Sequence, residues 1–233
     1  MKKYSMSELT DALKRISNWM EALHPFPVKD GQIIAPFRPG LPNTDIINLT
    51  DNLPLKLPQE VKEFYKWHNG SWSSKDCLFS DAQDKEMIEF LYVNPGLMYG
   101  NLRPFIDEEV DLFSLDEAVS CFGYTSEFDE KPYLPIFTTE NSFYSLLILG
   151  GDITPVLLDD YEIAFPSLTV LMQCIAELLE NLDSLKSILK SSLTVENKLE
   201  LEDRLINEVA HNYVEKSKYR YASILLNKII TRL

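Results

Sequence analysis

Carboxylates come in runs along this chain: Asp81, Asp84, Glu86 and Glu89; Asp107, Glu108, Glu109 and Asp111; Glu127, Asp129 and Glu130; Asp159, Asp160 and Glu162. A pair of carboxylates serves general acid/base chemistry when one of them sits in an apolar site that raises its pKa. A solvated run instead decorates a loop or steers a basic protein toward the surface. These runs lie beside turns rather than inside apolar stretches, which argues against the catalytic role, and none has the DxDxDG spacing of a calcium loop. The histidines His24, His68 and His211 fall on three different predicted elements, without HExxH or HxH spacing, so no metal site is expected. Cys77, Cys121 and Cys174 are far apart and form no CxxC, which points to buried, reduced thiols in a reducing compartment. Ser71 follows Gly70 but lacks the second glycine of a GxSxG elbow, and the chain has neither GxxxxGK nor GxGxxG. The expectation is therefore no catalytic residue, no cofactor and no metal. Exposed aromatics are the other candidate chemistry: Trp67 and Trp72 flank Asn69-Gly70, and Trp and Tyr beside turns make good binding anchors.

Composition sets the same frame. The 233 residues are 45% hydrophobic and 25% charged, enough for a sizeable core and too apolar for a disordered chain. The formal net charge of -14 works against binding a phosphate backbone, so no nucleic acid is expected and a basic protein partner is. No apolar run approaches the roughly 20 residues of a membrane span, and the opening residues lack a secretory core. A cytoplasmic protein is the expectation.

The elements that must position these residues are legible as periodicity. Met6, Leu9, Leu13, Ile16, Trp19, Met20 and Leu23 recur at helical spacing behind a Ser5/Glu8 capping box. Residues 24–58 carry seven of the thirteen prolines, so regular structure there must be short, with a brief strand at 32–35. At 57–70 a helix starts at Pro58, buries Val61, Phe64, Tyr65 and His68, and is expected to stop at Asn69-Gly70. Strand-like pieces follow at 77–80, 87–93 and 110–113, then a capping box from Ser114 to Glu117 opens a short helix. Strands at 134–138, 142–149, 153–158 and 161–165 come next, the second and third joined by Gly150-Gly151-Asp152 and crowded enough with apolar residues for burial on both faces. A helix from 168 to 182 presents Leu168, Leu171, Met172, Ile175, Leu178, Leu179 and Leu182 on one face. The expected class is α+β, a mostly antiparallel sheet flanked by helices.

After position 182 the chain contains no proline or glycine, and 194–214 and 217–231 are helical in period. We read 1–182 as an α+β domain and 183–233 as a helical C-terminal extension. Seven acids and nine bases make the extension +2, while residues 1–182 are -16. The apolar faces of the extension must be buried on the body or on a second copy, which would make a homodimer.

Four strings in this order resemble the SUKH superfamily of fungal cell-wall-synthesis regulators and bacterial immunity proteins: LPQEVKEFYKWHNG at 57–70, LFSLDEAVSCF at 112–122, YLPIFTTENSFYSLLIL at 133–149 and AFPSLTVLMQCIAELLENL at 164–182. The resemblance covers 57–182, and departs from the family at Thr139-Glu140-Asn141, where many members have a glycine- and aspartate-rich turn. It implies a non-enzymatic binding domain in which Leu57, Pro58, Phe64, Tyr65, Asn69, Gly70, Pro135, Ile136 and Phe137 are scaffold. It further implies an immunity-type protein that neutralises a toxin, often a nuclease, with a regulatory scaffold as the alternative. Combined with the charge, the expected partner-binding residues are Trp67, Trp72, Asp107, Glu108, Glu109, Asp111, Asp159, Asp160 and Glu162.

Overall fold

The first helix, α1 (Met6–Leu23), takes the place its apolar spacing dictates. Leu9, Ala12, Leu13, Ile16 and Trp19 are buried, and Glu8, Asp11 and Lys14 face water. The computed structural model describes residues 6–23, 28–29, 32–33, 37–71, 111–124, 130–139, 142–158, 162–189, 195–215, 222–223 and 226. Ser5 and the strands expected at 77–80 and 87–93 lie outside them.

Among the described residues the proline-rich stretch holds only short pieces, as the missing donors require. They are the pair β1 (Val28–Lys29) and β2 (Gln32–Ile33), the strand β3 (Phe37–Pro39) and an eight-residue helix, α2 (Asn43–Thr50). Sequence periodicity missed α2 because it buries one residue fully, Ile46, and leaves Ile47 exposed. Helix α3 (Gln59–Trp67) follows with Glu60, Val61, Phe64 and Tyr65 buried. It packs on α1, and two polar contacts run beside the apolar ones: Thr10 donates to Glu63, and Trp67 Nε1 donates to Ser17 Oγ at 2.7 Å.

The helix stop expected at Asn69-Gly70 is corrected. His68 is already extended (φ -146°, ψ 142°), and the chain passes straight into β4 (His68–Ser71), which pairs antiparallel with β3. His68 is accordingly half-buried in a strand rather than on the helix's apolar face. Tertiary pairing outweighs the local Asn-Gly signal here: Asn69 Oδ1 accepts the Leu115 N–H at 2.8 Å. The glycine serves a different purpose from the one its position suggests. Gly70 has φ +85°, and a Cβ there would stand 2.6 Å from the Ser114 backbone nitrogen, so both conformation and space require glycine.

Strand β5 (Asp111–Leu112) leads to α4 (Leu115–Ser120), whose capping box forms as read: the Glu117 carboxylate accepts the Ser114 N–H at 3.0 Å and its hydroxyl at 2.5 Å. The main sheet is entirely antiparallel and runs β10 (Glu162–Phe165), β9 (Val156–Leu158), β8 (Ser142–Ile148), β7 (Pro132–Thr139), β5, with β6 (Gly123–Tyr124) also pairing β7. The α+β class is what the chain forms. Strand β9 begins three residues later than apolar content suggests, for a reason in the donors: Pro155 has no N–H, and the Thr154 N–H is used by Glu60.

Burial on both faces of the sheet follows the two-residue period. Leu134, Ile136, Leu147, Leu149, Val156, Leu158 and Ala164 join the main core, while Leu146, Ile148 and Leu157 are buried in a second cluster with Tyr133 and Ile163 against it. Helix α5 (Leu168–Leu189) is capped by Ser167, whose Oγ accepts the Val170 N–H at 3.1 Å. The sequence predicts one apolar face, but Val170, Cys174 and Ala176 are buried as well, as expected of a helix enclosed by neighbours. Those neighbours include α1 and α6 (Val195–Tyr213). Ile206, Val209, Ala210 and Val214, with Ala222 and Leu226 beyond, belong to the same apolar cluster as Leu9 and Ile16. The described part of the C-terminal segment thus places its apolar residues in the chain's own core, and α5 runs unbroken past position 182. Among the described residues no helix is long and apolar enough to cross a membrane.

Candidate functional site

The sheet holds apart one residue from each of two expected acidic clusters. Asp111 lies in β5 opposite Thr138, and Glu162 lies in β10 opposite Leu158. These strands are the two ends of the order β10-β9-β8-β7-β5. Four strand spacings of about 4.8 Å put their backbones roughly 19 Å apart. Asp111 and Glu162 therefore do not form one acid/base pair, and each marks its own sheet edge. The remaining members, Asp107, Glu108, Glu109, Asp159 and Asp160, and the aromatic Trp72, lie outside the described residues.

Trp67 is half-buried at the end of α3. Its ring packs on Phe64 (centroids 5.9 Å apart) and on His68 (4.3 Å), while its N–H is held by Ser17. Phe64 and Tyr65 are buried, the scaffold role expected of them. His68 Nδ1 lies 3.1 Å from the Arg38 carbonyl, and burial lowers the ring's pKa against the opposing pull of that carbonyl. His211 lies exposed on α6 with Nδ1 2.6 Å from the Asn207 carbonyl one turn earlier. Burial pushes the Cys174 thiol up and away from its reactive thiolate form. Cys121, half-buried, is free. Among the described residues no group of three or more His, Cys, Asp or Glu side chains could hold a metal ion.

Among the described residues, the carboxylate most closely built into the fold is one that charge-run reading overlooks. Glu60, in the first turn of α3, is buried and accepts from two threonines. Its Oε1 takes the Thr154 N–H at 2.5 Å and the Thr154 hydroxyl, and its Oε2 takes the Thr169 N–H at 3.2 Å and the Thr169 hydroxyl at 2.8 Å. It ties α3 to the loop before β9 and to the first turn of α5, where the helix dipole favours an anion. The sequence signal was present: with Leu57, Val61 and Phe64 around it, Glu60 occupies the apolar face of its own helix.

Further acids stitch helices together. Glu177 on α5 accepts the Tyr213 hydroxyl at 2.5 Å and Asn212 Nδ2 at 3.2 Å from α6. One turn on, Glu180 takes Arg15 of α1 in a bidentate pair at 2.8 and 2.5 Å, and that guanidinium lowers the Glu180 pKa. Burial, then the Glu177 contact, push the Tyr213 phenol up. The Tyr65 hydroxyl is fully buried, and burial, with Glu117 and Asp116 nearby, raises it too.

Among the described residues the outward charge is mostly acidic. Glu8 and Asp11 on α1, Asp45 and Asp51 at the two ends of α2, Asp116 and Glu117 on α4, and Glu130, Asp152, Glu208 and Glu215 are exposed, against Lys14, Lys56, Lys66, Lys131 and Arg204. Ile47 and Tyr124 are the exposed large hydrophobics among the described residues. Compared with known proteins, the chain matches no protein-family model and no curated protein.

Proposed function

We propose that this is a non-enzymatic, cytoplasmic binding domain that captures a basic protein, in the manner of an immunity protein neutralising a toxin. The observation that carries the reading is a division of labour among the charged groups. Glu60, Glu177 and Glu180, and the capping-box Glu117, are committed to hydrogen bonds within the fold, while the remaining exposed charge on α1, α2 and α4 is predominantly acidic. Fixed internal acids leave little for acid/base chemistry, and surplus surface acids raise the encounter rate with a basic partner. The four SUKH-like strings support the same class.

The test is a low-salt pull-down from the native host with the full chain, followed by association kinetics on the recovered partner. The reading expects a basic protein in one-to-one amount, released by salt. Asp111 and Glu162, the described member of each set, lie on opposite end strands of the described sheet, so one partner should feel one of the two sets. Neutralising Asp159, Asp160 and Glu162 together, or 107–111 together, should slow association severalfold for one set and leave the other near wild type. Unchanged rates for both sets at low salt would overturn the electrostatic reading. Recovery of envelope-assembly proteins, or only of the chain itself, would replace it with a regulatory scaffold or a homodimer.

A further inference from the structure

We draw no further inference here: the strongest candidate, the exposed Ile47 on α2, a helix that carries Asp45 and Asp51 and packs beside α4, is a single exposed apolar side chain on an acidic helix, and nothing in the structure shows what covers it.

Discussion

Glu60 offers the sharpest test of how the fold is held, because its four acceptor contacts make unequal demands on a substitute. Replacing it with glutamine keeps the shape and exchanges one oxygen for an NH2. Hydroxyl donors can rotate to suit, but the N–H groups of Thr154 and Thr169 are fixed by the backbone, one facing each end of the carboxylate. Whichever way the amide turns, one buried N–H meets a donor. An unsatisfied buried N–H costs about 1–3 kcal/mol, and the backbone N–H bond that survives drops from the charged to the neutral range, about 1 kcal/mol less. Glu60→Gln should therefore destabilise by about 2–4 kcal/mol, and Glu60→Ala, which strands both N–H groups, by about 3–5 kcal/mol. For a chain of 233 residues the glutamine variant's loss corresponds to a fall in Tm of roughly 5–15 °C. The assay is urea unfolding followed by tryptophan fluorescence and far-ultraviolet circular dichroism, urea being uncharged and so not screening the site. Thr169→Val, which removes a hydroxyl and spares the N–H, should cost about 1–2 kcal/mol, and its cost should shrink by about 1 kcal/mol when Glu60 is already alanine. A Glu60→Gln variant within about 0.5 kcal/mol of wild type, with the unfolding slope unchanged, would refute the clamp.

Gly70→Ala should cost about 2–4 kcal/mol, since it adds left-handed strain to a 2.6 Å approach on the Ser114 backbone; a thermal melt within 2 °C of wild type would contradict this. Ile206→Ala should cost about 2–4 kcal/mol because the side chain is fully buried in the common core, whereas Glu180→Ala, breaking a pair that is 32% and 48% exposed, should cost at most about 1 kcal/mol. Urea titrations of the two variants side by side check that ranking, and a reversed order would mean that α6 is not packed as described. His68 is lowered by burial in the folded chain, so the unfolded chain binds the proton more readily. Stability should be full above the unfolded histidine value near 6.5 and fall as pH drops from there toward the lower folded value. The difference between wild type and His68→Gln in urea midpoint, measured from pH 7.5 to 5, should show that loss in wild type alone.

The fold was legible wherever one periodic pattern served one element. Helix α1 and the start of α5 follow from apolar spacing, and β7 and β8 follow from crowded apolar residues that require burial on both faces. The misreadings arose where a local signal competed with a distant partner. Asn69-Gly70 resembles a helix stop in isolation, yet Asn69 is engaged by the first turn of α4, 46 residues away, and Gly70 is shaped by the same contact. Thr154 and Pro155 read as the interior of a strand until the N–H of Thr154 is found on Glu60, 94 residues earlier. Long-range donors and acceptors of this kind leave no periodic trace in a sequence.

The candidate site shows the same limit from the other side. Runs of like charge are conspicuous in a sequence because they are adjacent, but adjacency along the chain does not bring two runs together in space. Asp111 and Glu162 belong to opposite edges of one sheet, and that separation follows from the strand order, which no spacing within either run encodes. Glu60 is the converse case: a lone acid among apolar neighbours, without a charged run to draw attention, is the carboxylate that the folded chain surrounds with donors. Its place on the apolar face is the informative feature, because a buried carboxylate must find partners that an exposed run can obtain from water. Position relative to the hydrophobic period therefore separates structural acids from surface acids better than their number does. On that criterion the acids to neutralise in search of a partner are Asp111 and Glu162 on the outer strands, Asp11 on α1, Asp45 and Asp51 at α2 and Asp116 on α4, and the acids to leave untouched are Glu60 and the capping-box Glu117.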